Sequence, residues 1–249
     1  MLDEDTRALL QEATDVAGGV RDEAAVERPY HEHEIGTLFD RCRGMCAAVL
    51  VLLDNGFVQE PAMLCRALFV DSLALAELAA ADEQRRISLV VGRQLAAIAD
   101  VEGIFREMQA RGEEVSGNLD YVAERRRRVE GYARRHDALT RHWDPDDHVR
   151  ALAEKHGRGD EYPSYRMTHH FVHGSAAITE HRASVDDEEV MRIGGPALDV
   201  EVWEKPAALF AAYSLALACR AACSTLGYDE PQGLDDLLGG IEAMHASSG

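Results

Sequence analysis

Ile35-Gly36-Thr37-Leu38-Phe39-Asp40-Arg41-Cys42-Arg43-Gly44-Met45-Cys46-Ala47-Ala48-Val49-Leu50-Val51-Leu52-Leu53 carries its apolar residues at Ile35, Leu38, Phe39, Cys42, Cys46, Val49 and Leu53. That three-and-four spacing draws a stripe along one face of an α-helix. Asn55-Gly56 is a stop signal. The same grammar repeats on both sides of it.

A second helix begins near Glu60-Pro61, where proline suits the first turn, and carries Leu64, Leu68, Leu75 and Leu78 on to Ala81. Asp82 caps a third, with Ile87, Val91, Leu95, Ile98, Val101, Phe105 and Met108 before Gly112. Asn118 is the expected cap of a long basic helix bearing Val122, Val129, Tyr132, His136 and Leu139, which Asp144-Pro145-Asp146 breaks. A short helix with Val149 and Leu152 ends at Gly157, and a histidine-rich one runs from about Ser164 to His181. Pro206 is expected to open another, through Leu209, Phe210, Tyr213 and Leu217 to Gly227. Leu234, Leu237, Leu238, Ile241 and Met244 mark the last. Residues 183–205 do not read as helix: they are acidic, broken by Gly194-Gly195-Pro196, and alternate like a strand at Val200-Glu201-Val202-Trp203. The expectation is one all-α domain over 1–249, a bundle of about eight or nine helices with a long irregular loop at 183–205.

With 46% hydrophobic and 29% charged residues the 249-residue chain is globular rather than disordered. Its net charge of −19 repels phosphate backbones in general and leaves room for a local basic groove. The bases cluster at Arg125-Arg126-Arg127-Arg128 and Arg134-Arg135, a pattern that reads first as a solvated face. Cysteine usage is odd-numbered, and Asp3-Glu4-Asp5 follows directly on Met1-Leu2, so the expectation is a reducing cytoplasm. Cys42/Cys46 and Cys219/Cys223 read as small core residues. No uninterrupted apolar run reaches the roughly 20 residues of a membrane span, since Ala207–Cys219 contains Ser214 and ends at Arg220.

Chemistry concentrates in Tyr165-Arg166-Met167-Thr168-His169-His170-Phe171-Val172-His173-Gly174-Ser175. On a helix Arg166, His169 and His173 share a face, with His170 to the side. Three readings stay open. The histidines are structural, bonded to a carbonyl or carboxylate. Alternatively two of them ligate a metal with help from elsewhere, such as His31-Glu32-His33; Glu180 is two turns beyond His173 and too far. Or arginine and histidine handle an anion without metal or cofactor.

Two resemblances bear on this segment. Leu52-Leu53-Asp54-Asn55-Gly56 followed by Glu60, Leu64, Arg66, Leu68 and Phe69, with Val172-His173-Gly174-Ser175 later, resembles a large bacterial all-helical family of unknown function over roughly Ile35 to Ala176. The resemblance selects Arg66 and His173. The acid it leads one to expect four residues after the arginine is Val70 here, and Asp71 follows about 100° further round the helix. A second similarity is to HEPN domains, many of them metal-independent ribonucleases of toxin and defence systems, whose signature is an arginine and a histidine four to six residues apart. Arg166 and His173 have six between them. That likeness implies a homodimer acting on RNA, with Arg166 and His173 catalytic, His169 supporting, and Arg66 and His170 in binding. The rival readings are a non-catalytic helical module that binds a partner protein or small ligand and, third, a metal-dependent hydrolase.

Overall fold

A computed structural model describes residues 2–20, 28–57, 59–173, 183–185, 191–193 and 200–247; for 167, 169–173, 183–185, 191–193, 200–203 and 245–247 it describes the backbone alone. Nine α-helices lie among the described residues: α1 Glu4–Gly18, α2 Tyr30–Asp54, α3 Gln59–Ala80, α4 Glu83–Ala110, α5 Ser116–Arg135, α6 Val149–Lys155, α7 Tyr162–His173, α8 Val200–Leu226 and α9 Leu234–Ser247. Two 3-10 turns, Pro145–His148 and Gly159–Glu161, flank α6. The protein is an all-α bundle, as the periodicity predicts.

Local chemistry accounts for most of the helix ends. Asp3 caps α1 by accepting from the Thr6 amide at 2.9 Å, and Asp82 caps α4 by accepting from the Arg85 amide at 2.8 Å. Asn118 does not cap α5. That helix starts two residues earlier at Ser116, whose amide donates to the Glu114 carboxylate at 3.0 Å. It also stops at Arg135, well short of Asp144-Pro145, and turns at Asp137 in the left-handed region (φ 49°).

The loop expected at 183–205 needs correcting at its end. Ala183–Val185 and Met191–Ile193 pair as a short antiparallel hairpin, with Ser184 opposite Arg192. Val200-Glu201-Val202-Trp203 is not a strand but the first turn of α8, so Pro206 sits inside that helix rather than opening it. Two apolar neighbours per alternation fit a strand and a helix equally well over four residues.

The main core is built by α1, α2, α3 and α8, closed by α6, α7 and α9. The small residues Ala208, Ala211, Ala212, Ala218 and Ala222 are buried on α8, which lets neighbouring helices approach closely. Glu204–Leu226, though interrupted by Ser214 and Arg220, is long and apolar enough to cross a membrane by length and composition; 72% of its most apolar window is buried inside the bundle. Cys42, Cys46, Cys65, Cys219 and Cys223 are buried free thiols, all pushed up by burial and so kept protonated, as core residues should be.

A second, smaller cluster joins α4 to α5 through Ile87, Val91, Leu95 and Ile98 against Val122, Val129, Tyr132 and Ala133. The two helices form an arm beside the main core. Segment 136–144 then runs back across α4. Gln84 Nε2 donates to the carbonyls of His136 (2.8 Å) and Asp137 (2.9 Å), and Ser88 Oγ accepts from the Leu139 amide at 3.1 Å. At Gly92 a β-carbon would collide with the Arg141 carbonyl oxygen and lie 3.1 Å from Trp143 Cβ. Residues 84, 88 and 92 are successive turns on one face of α4, so this face is a seat for the crossing segment.

Candidate functional site

The arginine on α3 and the histidine helix meet through a tyrosine. Arg66 Nε donates to Tyr165 Oη at 3.3 Å, its guanidinium lies 5.4 Å from the centre of that ring, and its other end is 3.5 Å from the Asp146 carboxylate. Tyr165 is buried on α7 against Phe69 and Tyr162. Burial raises its phenol, and the hydrogen bond and charge of Arg66 oppose that. Arg66 therefore ties α3, α7 and the turn after the crossing segment together.

Arg166, next in α7, is exposed. The helix extends to His173, so Arg166 and His173 lie seven residues apart on one continuous helix. The side chains of His169, His170 and His173, together with residues 174–182, lie outside the described residues. His31, the expected outside donor to a metal, is buried with Nδ1 2.8 Å from Tyr132 Oη. Among the described residues no three His, Cys, Asp or Glu side chains converge on one point.

Asp71 belongs to a different arrangement from Arg66. Its carboxylate is buried, with Oδ1 3.2 Å from Arg93 Nη2 and Oδ2 3.2 Å from Arg41 Nε. The Arg41 contact has ion-pair distance without hydrogen-bond direction, so among the described residues Oδ2 accepts no hydrogen bond. Burial pushes the Asp71 carboxyl up, the two guanidinium groups pull it down, Asp146 pushes it up again, and the net direction is upward.

These side chains line a cavity of about 310 Å³ between the main core and the α4–α5 arm. Its shape follows from the antiparallel α3–α4 hairpin. Glu77 meets Arg85, Asp71 meets Arg93, and by the same register Ala67 stands level with Ala96 and Ala97. At the Asp71 level the walls are cationic: Arg41, Arg93 and Arg125, the last donating to the buried Gln94 at 2.6 Å. Alanines make the floor. Farther from the turn come Asp146, held by Arg66, and Asp100, which lies about 10 Å along α4 from Arg93 at 1.5 Å per residue. Trp143 and Pro145 close one side. The cleft is thus lined by guanidinium groups, by alanines and by carboxylates, with Asp100 displaced along α4 from Arg93.

Two other buried charges hold the scaffold. Glu77 accepts from Arg85 at 2.8 Å and from Lys155, with His156 Nε2 3.0 Å away. Burial alone would raise its carboxyl; the hydrogen bonds of Lys155 and His156 and the charges of Lys155 and Arg85 outweigh it, and the net direction is downward. Arg158, also buried, is clasped by both Glu161 oxygens at 2.6 Å, donates to Ser72 (2.6 Å) and Ser214 (2.9 Å), and lies over Phe69. The sequence carried a signal for the acids: Asp71 and Glu77 are the only charges in the stretch 67–80 of α3, otherwise Leu, Ala, Val, Phe and one Ser. It carried none for their partners, which come from α2, α4 and the end of α6.

A family model described as "Family of unknown function (DUF5677)" matches residues 33–190. This span takes in Arg41, Asp71, Arg93 and Trp143 of the cleft as well as Arg66, Arg166 and His173. No curated protein and no solved structure matches the chain.

Proposed function

The chain belongs to the DUF5677 family of unknown function, and from that starting point we propose that it is a helical module that binds a small dipolar ligand in the cleft between α3 and α4. One observation carries the reading: a single cavity is lined both by Arg41 and Arg93, gathered on the buried carboxylate of Asp71, and by the exposed carboxylates of Asp100 and Asp146. Guanidinium groups so oriented suit a carboxylate or phosphate oxygen. The exposed carboxylate of Asp100 suits an ammonium. Cavities of this size, between packed helices and with a few convergent polar groups, are where small ligands bind. Arg66 contributes by holding Asp146 at the rim.

Calorimetry with 6-aminohexanoate, hexanoate and hexylamine tests this. The dipolar compound should bind tightest. Asp100→Asn should bring 6-aminohexanoate down to the level of hexanoate and leave hexanoate unchanged. Equal binding of 6-aminohexanoate and hexanoate to the unaltered protein would overturn the assignment.

A second reading rests on the exposure of Arg166 on a helix that also carries His169, His170 and His173. In it the protein is a HEPN-like, metal-independent ribonuclease acting as a homodimer, with His173 moving the proton at the 2′-hydroxyl and Arg166 neutralising the phosphate. The basic helix gives it little help, because Arg126 pairs with Glu102 and Arg127 and Arg128 pair with Glu124. Labelled single-stranded RNA incubated with the protein in EDTA should be cut, and cutting should stop in His173→Ala. Cutting by that variant would exclude the role.

A further inference from the structure

A second pocket that Trp143 also lines is of opposite character. It measures about 510 Å³ and lies between α4 and the crossing segment. Arg85, Arg141, His142 and His148 line it, and no carboxylate does. In a chain of net charge −19 that is unusual. Most arginines here are matched with an acid, as Arg7 is with Asp54, Arg93 with Asp71 and Arg126 with Glu102. Arg141, His142 and His148 have no protein partner among the described residues.

The pocket is also built rather than incidental. Arg85 is anchored from behind by the buried Glu77, 2.8 Å away. The opposite wall is pinned to α4 by Gln84, by the Ser88 hydroxyl and by the close approach at Gly92. Leu89, Leu139 and Trp143 supply apolar surface beside the charges.

We propose that this pocket binds a small anion carrying an aromatic body, its charge met by Arg85 and Arg141 and its ring laid against Trp143. Its lining shares only Trp143 with the cleft, and the site does not depend on the ligand assigned to that cleft.

Phenyl phosphate, inorganic phosphate and phenol are the probes, titrated into the full chain by calorimetry. Phenyl phosphate should bind at least about tenfold more tightly than either fragment, the gain expected from joining a charge-assisted contact to an aromatic one. Arg141→Gln, a change at an exposed side chain with no structural partner among the described residues, should weaken phenyl phosphate about tenfold and leave the thermal midpoint where it was. Leu89→Ala should weaken phenyl phosphate and leave inorganic phosphate unchanged. Inorganic phosphate binding as tightly as phenyl phosphate would overturn the proposal. So would unaltered binding in Arg141→Gln. Because 6-aminohexanoate binding should be indifferent to Arg141→Gln, failure here and failure of the cleft assignment are told apart.

Discussion

At the scale of single residues, the informative positions are those that break the apolar pattern of a buried helix. Glu77 is one: a carboxylate that stays ionised in the core because Arg85 and Lys155 lie beside it and His156 hydrogen-bonds to it. Glu77→Gln leaves those groups short of an acceptor, and a loss of about 1–3 kcal/mol is expected at neutral pH, less than for fully buried pairs because Arg85 and Lys155 reach solvent. The pH dependence has a definite sign. The folded carboxyl lies below its ordinary value of 4.5, so its contribution is complete above that pH and fades as pH falls through the lowered value. Urea melts of both proteins across the acid range should show the gap closing below pH 4.5; a gap independent of pH would contradict the account. Gly92 is the other. Alanine there forces segment 141–143 off α4, a backbone shift of about 1–3 kcal/mol, and should lower the thermal midpoint and change the fluorescence of Trp143. A variant as stable as the parent would mean that the crossing is loosely seated. The need for glycine at 92 was invisible in the sequence, because the atoms it makes room for come from a segment some fifty residues away.

Among the elements, periodicity located α2, α3, α4 and α9 to within a few residues, since each carries a clear apolar stripe and a recognisable stop. Capping chemistry worked where the cap is the helix's own, as at Asp82, and failed at Asn118, where a glutamate outside the helix does the work. Helix α1 gives a weak periodic signal, because its buried face is Thr6, Leu10, Ala13 and Ala17, with one large apolar side chain among them. Pro206 gives an element-scale test. A proline in a helix interior removes one backbone hydrogen bond and costs up to about 3 kcal/mol. With α8 starting at Val200, Pro206→Ala should therefore raise stability by about 1–3 kcal/mol. A neutral or lower result would place the helix start at Pro206 itself, where proline is at home.

Across the whole molecule, two apolar clusters are laid side by side, and the candidate sites sit along the arm rather than in the centre of the bundle. The histidine helix dominates the sequence. Its histidine side chains lie outside the described residues; the cleft that the described residues do form is built on a carboxylate in the middle of α3 and arginines from α2, α4 and α5 that no linear motif connects. Arg66 survives as a brace between α3, α7 and Asp146, and Arg166 as an exposed cation on the helix of His173. Of the cleft residues only Asp71, a charge in the apolar stretch of α3, stands out in the sequence; Arg41, Arg93 and Arg125 sit among other charges, and their meeting depends on how α3 and α4 fold back on each other. Nuclear magnetic resonance of the arginine Nε–H groups, recorded as 6-aminohexanoate is added, tests that meeting most directly. Arg41, Arg93 and Arg125 should shift together and saturably while Arg141 and Arg166 stay in place; shifts confined to Arg141 or Arg166, or no saturable shift at all, would overturn the assignment of the cleft.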